Sequence, residues 1–162
     1  MRNPHYLAFF IVFLALARVA SGQALRVEIV TFAAPNAEPE VTDEILAQLL
    51  TSGKVDGVTL LDEFEVQLEA EPVTVNRELA LGENKTLFCG FRVELGADHS
   101  TVELREIRVT IKNGSTVEAT PRSVETRIAF KGLPIVELIH LEAGSAVTRH
   151  YGLRITLERR EY

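Results

Sequence analysis

The sequence has 162 residues, of which 46% are hydrophobic and 25% charged, and its formal net charge is −6. This length favours a single domain, since domains average roughly 100–200 residues, and the negative charge disfavours nucleic acid as a partner because phosphates are repelled. Cys89 is the only cysteine, so an internal disulfide is excluded and the hydrophobic core must supply the stability.

The first predicted element is a secretory signal peptide over residues 1–22. The start MRNPH is positively charged, the run LAFFIVFLALA is apolar without interruption, and small residues follow it. A membrane-spanning helix needs about 20 apolar residues, and Arg18 ends this run earlier. Cleavage after Gly22 or after Ala24 fits the small residues, with an uncleaved anchor as the alternative.

Removal of residues 1–22 takes away Arg2 and Arg18 but no acid, which leaves 15 basic and 23 acidic residues and a charge of −8. We therefore expect an exported acidic protein of the periplasm, outer membrane or extracellular space. Residues 23–158 form the predicted β-rich domain, and residues 159–162 form a flexible tail.

The mature chain begins with one predicted strand and one predicted helix. Leu25–Phe32 alternates apolar and polar residues, which is typical of a strand. Residues 33–40 (AAPNAEPE) predict a loop, because Pro35 and Pro39 cannot donate to a sheet. Thr42 is placed to cap a helix that ends at about Ser52. Its apolar stripe consists of Ile45, Leu46, Leu49 and Leu50.

From Val58 onward the pattern predicts strands and turns. The segments that alternate are Leu60–Leu68, Val73–Leu81, Leu87–Leu95, Val102–Ile111, Ser123–Phe130, Pro134–Leu141 and Tyr151–Leu157. The alternation slips by one place near Arg105-Glu106, which predicts a β-bulge, and Asn113-Gly114 predicts a tight turn. The expected fold is mainly β, with antiparallel sheets in a sandwich or open barrel-like arrangement of seven to nine strands and one short N-terminal helix.

Residues able to perform catalysis are few and dispersed. His99 lies between Asp98 and Ser100, but adjacent residues in a hairpin loop do not form a triad, which is assembled in space. We expect His140 to be a partly buried strand residue and His150 to lie on the outward face. We therefore predict no catalytic residue and no enzymatic activity.

Other chemistry is equally sparse. The histidine spacings and the single cysteine disfavour a metal site, and no motif implies a cofactor. Cys89 lies in LFCGF, so a small buried hydrophobic residue is expected there. Asn84-Lys-Thr and Asn113-Gly-Ser match the N-glycosylation pattern, which has meaning only in a eukaryotic secretory pathway.

Three stretches together carry a family resemblance. The first is the helix EILAQLLTSGK (44–54) that leads into VTLLDEFEV (58–66), and the second is the hairpin 89–109. The third comprises the strand RSVETRIAF (122–130) and the closing strand GLRITL (152–157). In this order, residues 41–157 resemble a short, degenerate C-terminal β-domain of bacterial secretins, the outer-membrane ring proteins of type II and type III secretion and pilus systems.

The resemblance implies a structural or assembly role in the envelope, with a protein partner or self-association and an outer-membrane connection. Residues 134–141 (PIVELIHL) depart from the family, which has Gly-Gly-Leu after the Arg/Thr strand, and the C-terminal amphipathic lip is missing. A secreted β-sandwich that binds a small molecule or glycan in a loop-lined cleft is the alternative function.

Overall fold

The computed structural model describes residues 23–52, 54–96, 101–120, 126–129 and 134–159 and shows two antiparallel sheets with one helix. Its elements are β1 Gln23–Pro35, α1 Pro39–Thr51, β2 Thr59–Gln67, β3 Val73–Ala80, β4 Lys85–Leu95, β5 Thr101–Asn113, β6 Thr116–Thr120, β7 Thr126–Ala129, β8 Ile135–Ala143 and β9 Val147–Arg159. Sheet A has the strand order β2-β1-β9-β8, and sheet B has the order β3-β4-β5-β6, with β7 also paired to β5. The predicted fold class is confirmed in its sandwich form.

The main core lies between the two sheets, because alternate side chains of each strand point to the same face. The buried residues of sheet A in this core are Leu25, Val27, Ile29, Phe64, Val66, Tyr151, Leu153 and Ile155. Those of sheet B are Leu87, Cys89, Phe91, Val93, Val102, Leu104, Ile107, Val109 and Ile111. The alternation of Tyr151–Leu157 predicts that Tyr151, Leu153, Ile155 and Leu157 face inward, and this is confirmed, with Leu157 only partly buried.

Helix α1 covers the outer face of sheet A and makes a third layer. Leu49 of the helix is buried in a second apolar cluster with Val30, Phe32 and Ala34 of β1. Strand β1 thus has apolar contacts on both faces, which explains its nearly continuous apolar run IVTFAA. At 13 residues the helix would be marginal alone, so this packing is what stabilises it.

The helix begins three residues before the predicted start. Pro39 stands in its first turn, where a missing N–H breaks no helical hydrogen bond, and Glu38 precedes it without a side-chain cap. Thr42 therefore lies within the helix, and the prediction that it caps the helix is wrong. Leu50 is also misplaced by the sequence pattern, because it is 37% exposed.

The slip in the fifth strand is a β-bulge, as predicted. Pairing between β4 and β5 passes from Gly90–Arg108 to Arg92–Arg105, so two residues of β5 face one residue of β4. Glu106 takes a φ of 55° at this point, in the left-handed region that non-glycine residues seldom adopt. The bulge keeps apolar residues on the core side before and after it.

A second irregularity lies between β1 and β2 and was not predicted. The register shifts at Ile29 and Val30 of β1, so β2 holds one extra residue there. The alternation of Leu60–Leu68 places Leu60 on the same face as Phe64 and Val66, but the shift leaves Leu60 50% exposed. Alternation within one strand cannot reveal a shift that depends on the pairing partner.

Several boundaries differ from the sequence pattern. Strand β1 continues to Pro35 through the first residues of the predicted loop, because its pairing with β9 continues as far as Val147. The β5–β6 turn is one residue later than predicted, with Gly114 at a φ of 60°. The predicted strand Ser123–Phe130 is described only as β7, and its remaining residues lie outside the described ones.

Candidate functional site

The first candidate site is an open groove between strands β2 and β3, here called the edge groove. Each strand lies at the edge of its own sheet among the described residues, and the short turn that joins them brings the two edges together. The groove encloses about 340 Å³. Its apolar side chains are Phe64, Val66, Val73 and Val75, and its polar ones include Glu65, Gln67, Glu69 and Arg77.

Local sequence explains the chemistry of the edge groove. Val73 and Val75 alternate toward the core but remain only half-buried, because β3 has a neighbour on one side only. The Arg77 guanidinium lies 4.3 Å from the centre of the Phe64 ring, a cation–π contact that spans the two sheets. The groove therefore joins an apolar floor to polar side chains along two strand edges.

The second candidate site is a recess on the outer face of sheet B, here called the Gly90 notch. It encloses about 350 Å³, and its lining includes Asn76, Glu78, Phe88, Gly90, Arg108 and Thr110. A smaller recess of about 200 Å³ adjoins it and adds Arg92 and Glu106. The notch exists because the central strand β4 presents no side chain at Gly90, between Asn76 and Arg108 of its neighbours.

His150 is the one histidine whose surroundings the structure describes. His99 lies outside the described residues, and His140 lies in β8. His150 is 8% exposed and stacks on Phe32 with ring centres 4.7 Å apart. His150 does lie on the outer face of sheet A, opposite to Tyr151, as predicted, but it is buried there because this face carries the apolar cluster beneath α1.

Burial shifts the pKa values of His150 and Cys89. Desolvation lowers the pKa of His150 below its usual 6.5, and its Nδ1 atom is buried with no hydrogen-bond partner. The predicted burial of Cys89 is confirmed, since it is 2% exposed in the main core. Burial raises the pKa of the Cys89 thiol to about 12, so the reactive thiolate is scarce at neutral pH.

Sequence reasoning missed a buried ion pair beneath the helix. Glu28 of β1 and Arg154 of β9 are cross-strand partners, 4% and 9% exposed, and their side chains are hydrogen-bonded. Arg154 Nε also donates to the Leu49 carbonyl oxygen at 2.7 Å, one of the carbonyls left without a partner at a helix C-terminus. Glu28 follows the alternation expected of a solvated residue, so only the covering helix reveals that it is buried.

A polar contact ties the two sheets together at one side of the core. Lys85 of sheet B pairs with Glu142 of sheet A, and the Tyr151 hydroxyl donates to the same carboxylate at 2.8 Å. These side chains are partly buried. They fix the relative position of the two sheets.

The two glycosylation patterns lie side by side at one end of sheet B. The Gly114 amide donates to the Asn84 carbonyl oxygen at 2.8 Å, and both Asn84 and Asn113 are exposed. Within the described residues no cluster of three or more histidine, cysteine or acidic side chains could hold a metal ion. The one helix in that part of the chain is too short and too polar to cross a membrane.

Comparison with known proteins adds no family to these observations. The sequence matches no protein-family model and no curated protein.

Proposed function

We propose that this protein is an exported, non-enzymatic envelope protein that resembles a secretin β-domain and acts as an assembly partner in a secretion or pilus-type system. The observation that carries the proposal is the edge groove, in which two strand edges from different sheets lie side by side. The apolar run before Arg18, with small residues after it, supports export.

Strand edges are natural sites of association because their outward backbone N–H and C=O groups can pair with another strand. Here an incoming extended segment would gain backbone pairing along β2 or β3 and could place an apolar side chain against Val73 and Val75. The partner is a second copy of this chain or another envelope protein. Glu65 and Glu69 beside the groove favour a basic flank on the incoming segment.

Site-specific cross-linking tests the proposal. Thr74→Cys places a thiol on β3 and Gln67→Cys places one on β2, both at exposed positions, whereas Ala47→Cys places one on the exposed side of α1 as the control. The native Cys89 does not interfere, because its pKa of about 12 and its burial keep it unreactive. We expect the two edge variants to form disulfide-linked species in the envelope fraction and the helix variant to form none.

The same samples provide the contrary outcome. A stable monomer by light scattering, together with no cross-linked product from either edge variant in an envelope extract, would contradict the assembly role. Equal cross-linking from Ala47→Cys would show that association does not use the strand edges.

A further inference from the structure

We propose that the Gly90 notch binds a sugar that carries a carboxylate group. This function goes beyond strand pairing, because the notch opens on the outer face of sheet B and not into the gap between the sheets. Three features support it: the shape of the recess, the residues able to contact a sugar ring, and the local balance of charge.

The notch is an open recess whose volume is sufficient for a small ligand. A volume of about 350 Å³ lies within the range of about 300–1,000 Å³ that is typical of small-molecule sites. The recess depends on one residue, since a Cβ atom at position 90 would lie 3.0 Å from Asn76 Oδ1 and 3.5 Å from the Val75 carbonyl oxygen. Any larger side chain at Gly90 would fill the space that the sugar needs.

The lining offers both kinds of contact that a sugar ring requires. Phe88 lines the notch and is half-buried, so part of its ring is accessible to the apolar C–H face of a sugar. Asn76 and Thr110 stand on the two flanking strands and can exchange hydrogen bonds with ring hydroxyls. Phe88 is the one aromatic residue in the lining of the notch, which suits a small amphipathic ring better than a protein interface.

Charge selects an acidic sugar over a neutral one. The side chains of two arginines, Arg92 and Arg108, and two glutamates face the notch and its adjoining recess, so this surface is locally neutral in a chain of net charge −6. Arg108 is the best placed to receive a carboxylate, because its side chain is 71% exposed and its one ion pair here, with Glu106 at 3.5 Å, is also exposed. Such surface pairs contribute little, whereas a guanidinium can bind a carboxylate through two parallel hydrogen bonds.

Isothermal titration of the full exported chain with trigalacturonate tests the proposal, with the methyl-esterified trisaccharide as the matched uncharged ligand. We expect saturable binding of the acid and binding of the ester that is weaker by roughly tenfold or more. Arg108→Gln should weaken binding of the acid by a similar factor, and Gly90→Leu should abolish it. Lys112→Gln, an exposed substitution on β5 outside the notch, should leave the affinity unchanged.

Circular dichroism of each variant separates lost binding from lost folding, and Arg108→Gln is the decisive variant because its side chain is exposed. Equal affinity for the acid and its ester would overturn the role of charge. No binding by the folded wild-type chain, or wild-type affinity in folded Arg108→Gln, would overturn the site. Cross-linking at the strand edges is independent of these results, so the two functions can fail separately.

Discussion

The buried pair of Glu28 and Arg154 leads to a quantitative prediction about stability. Arg154→Met removes the guanidinium, so the Leu49 carbonyl loses its donor at 2.7 Å and Glu28 remains in a site where it is only 4% exposed. Breaking one side of a buried ion pair costs about 3–5 kcal/mol. Arg26 still lies 3.6 Å from Glu28 and is 38% exposed, so we expect the lower end, about 3 kcal/mol.

The double substitution Glu28→Met with Arg154→Met supplies the matched comparison. Replacing both members of a buried pair by apolar side chains is often neutral or stabilising, so the double variant should recover about 2 kcal/mol or more of the loss in the single variant. Urea denaturation gives both values, with the slope m unchanged if the variants differ only in the free energy of unfolding.

Two results would refute this reasoning. A loss below about 1 kcal/mol for Arg154→Met would mean that solvent reaches Glu28, contrary to its burial beneath the helix. A double variant less stable than Arg154→Met would mean that Glu28 without Arg154 is tolerated better than an apolar side chain at the same position, contrary to the cost expected for a buried unpaired charge.

Three further predictions concern the leader, a histidine and the cysteine. If the chain is exported as proposed, mass spectrometry of the mature protein should find Gln23 at the N-terminus. Cleavage after Ala24 would remove a buried strand residue and the Gln23 carbonyl that accepts from the Leu68 amide at 3.2 Å, so a start at Leu25 would contradict this prediction. Since burial lowers the pKa of His150, the unfolded state binds more protons below pH 6.5, so stability should fall as pH falls through that range. His150→Phe should reduce this slope, and an unchanged slope would exclude His150 as its cause. The Cys89 thiol should react with a thiol reagent only in denaturant, and rapid labelling of the native chain would show that the core opens.

The sequence predicted those features that depend on one strand at a time. The bulge near Glu106 was visible because Val102 and Leu104 have one parity and the later apolar residues have the other. Leu60 was misplaced because its exposure follows from a register shift against Val30 on another strand. Local alternation carries no record of a partner's register.

The candidate sites were harder to predict, because each is made by elements that are distant in the chain. Glu28 shows the same alternation as a solvated acid, and only α1 lying over sheet A makes it buried. The run IVTFAA was the available signal, since a strand that is apolar at successive positions is typically covered on both faces. Gly90 gave no signal, because a strand glycine marks a close approach, a bend or an open recess equally well.

The pairing of β1 with β9 along its full length has a consequence for how the chain becomes a folded protein. Gln23 pairs with Arg159 and Pro35 pairs with Val147. Strand β1 can therefore pair with β9 only after the ribosome has also made the part of the chain that lies between them. Such distant pairing makes folding slow. If the chain is exported as proposed, this delay favours translocation, because β1 and β9 cannot pair before β9 has been made.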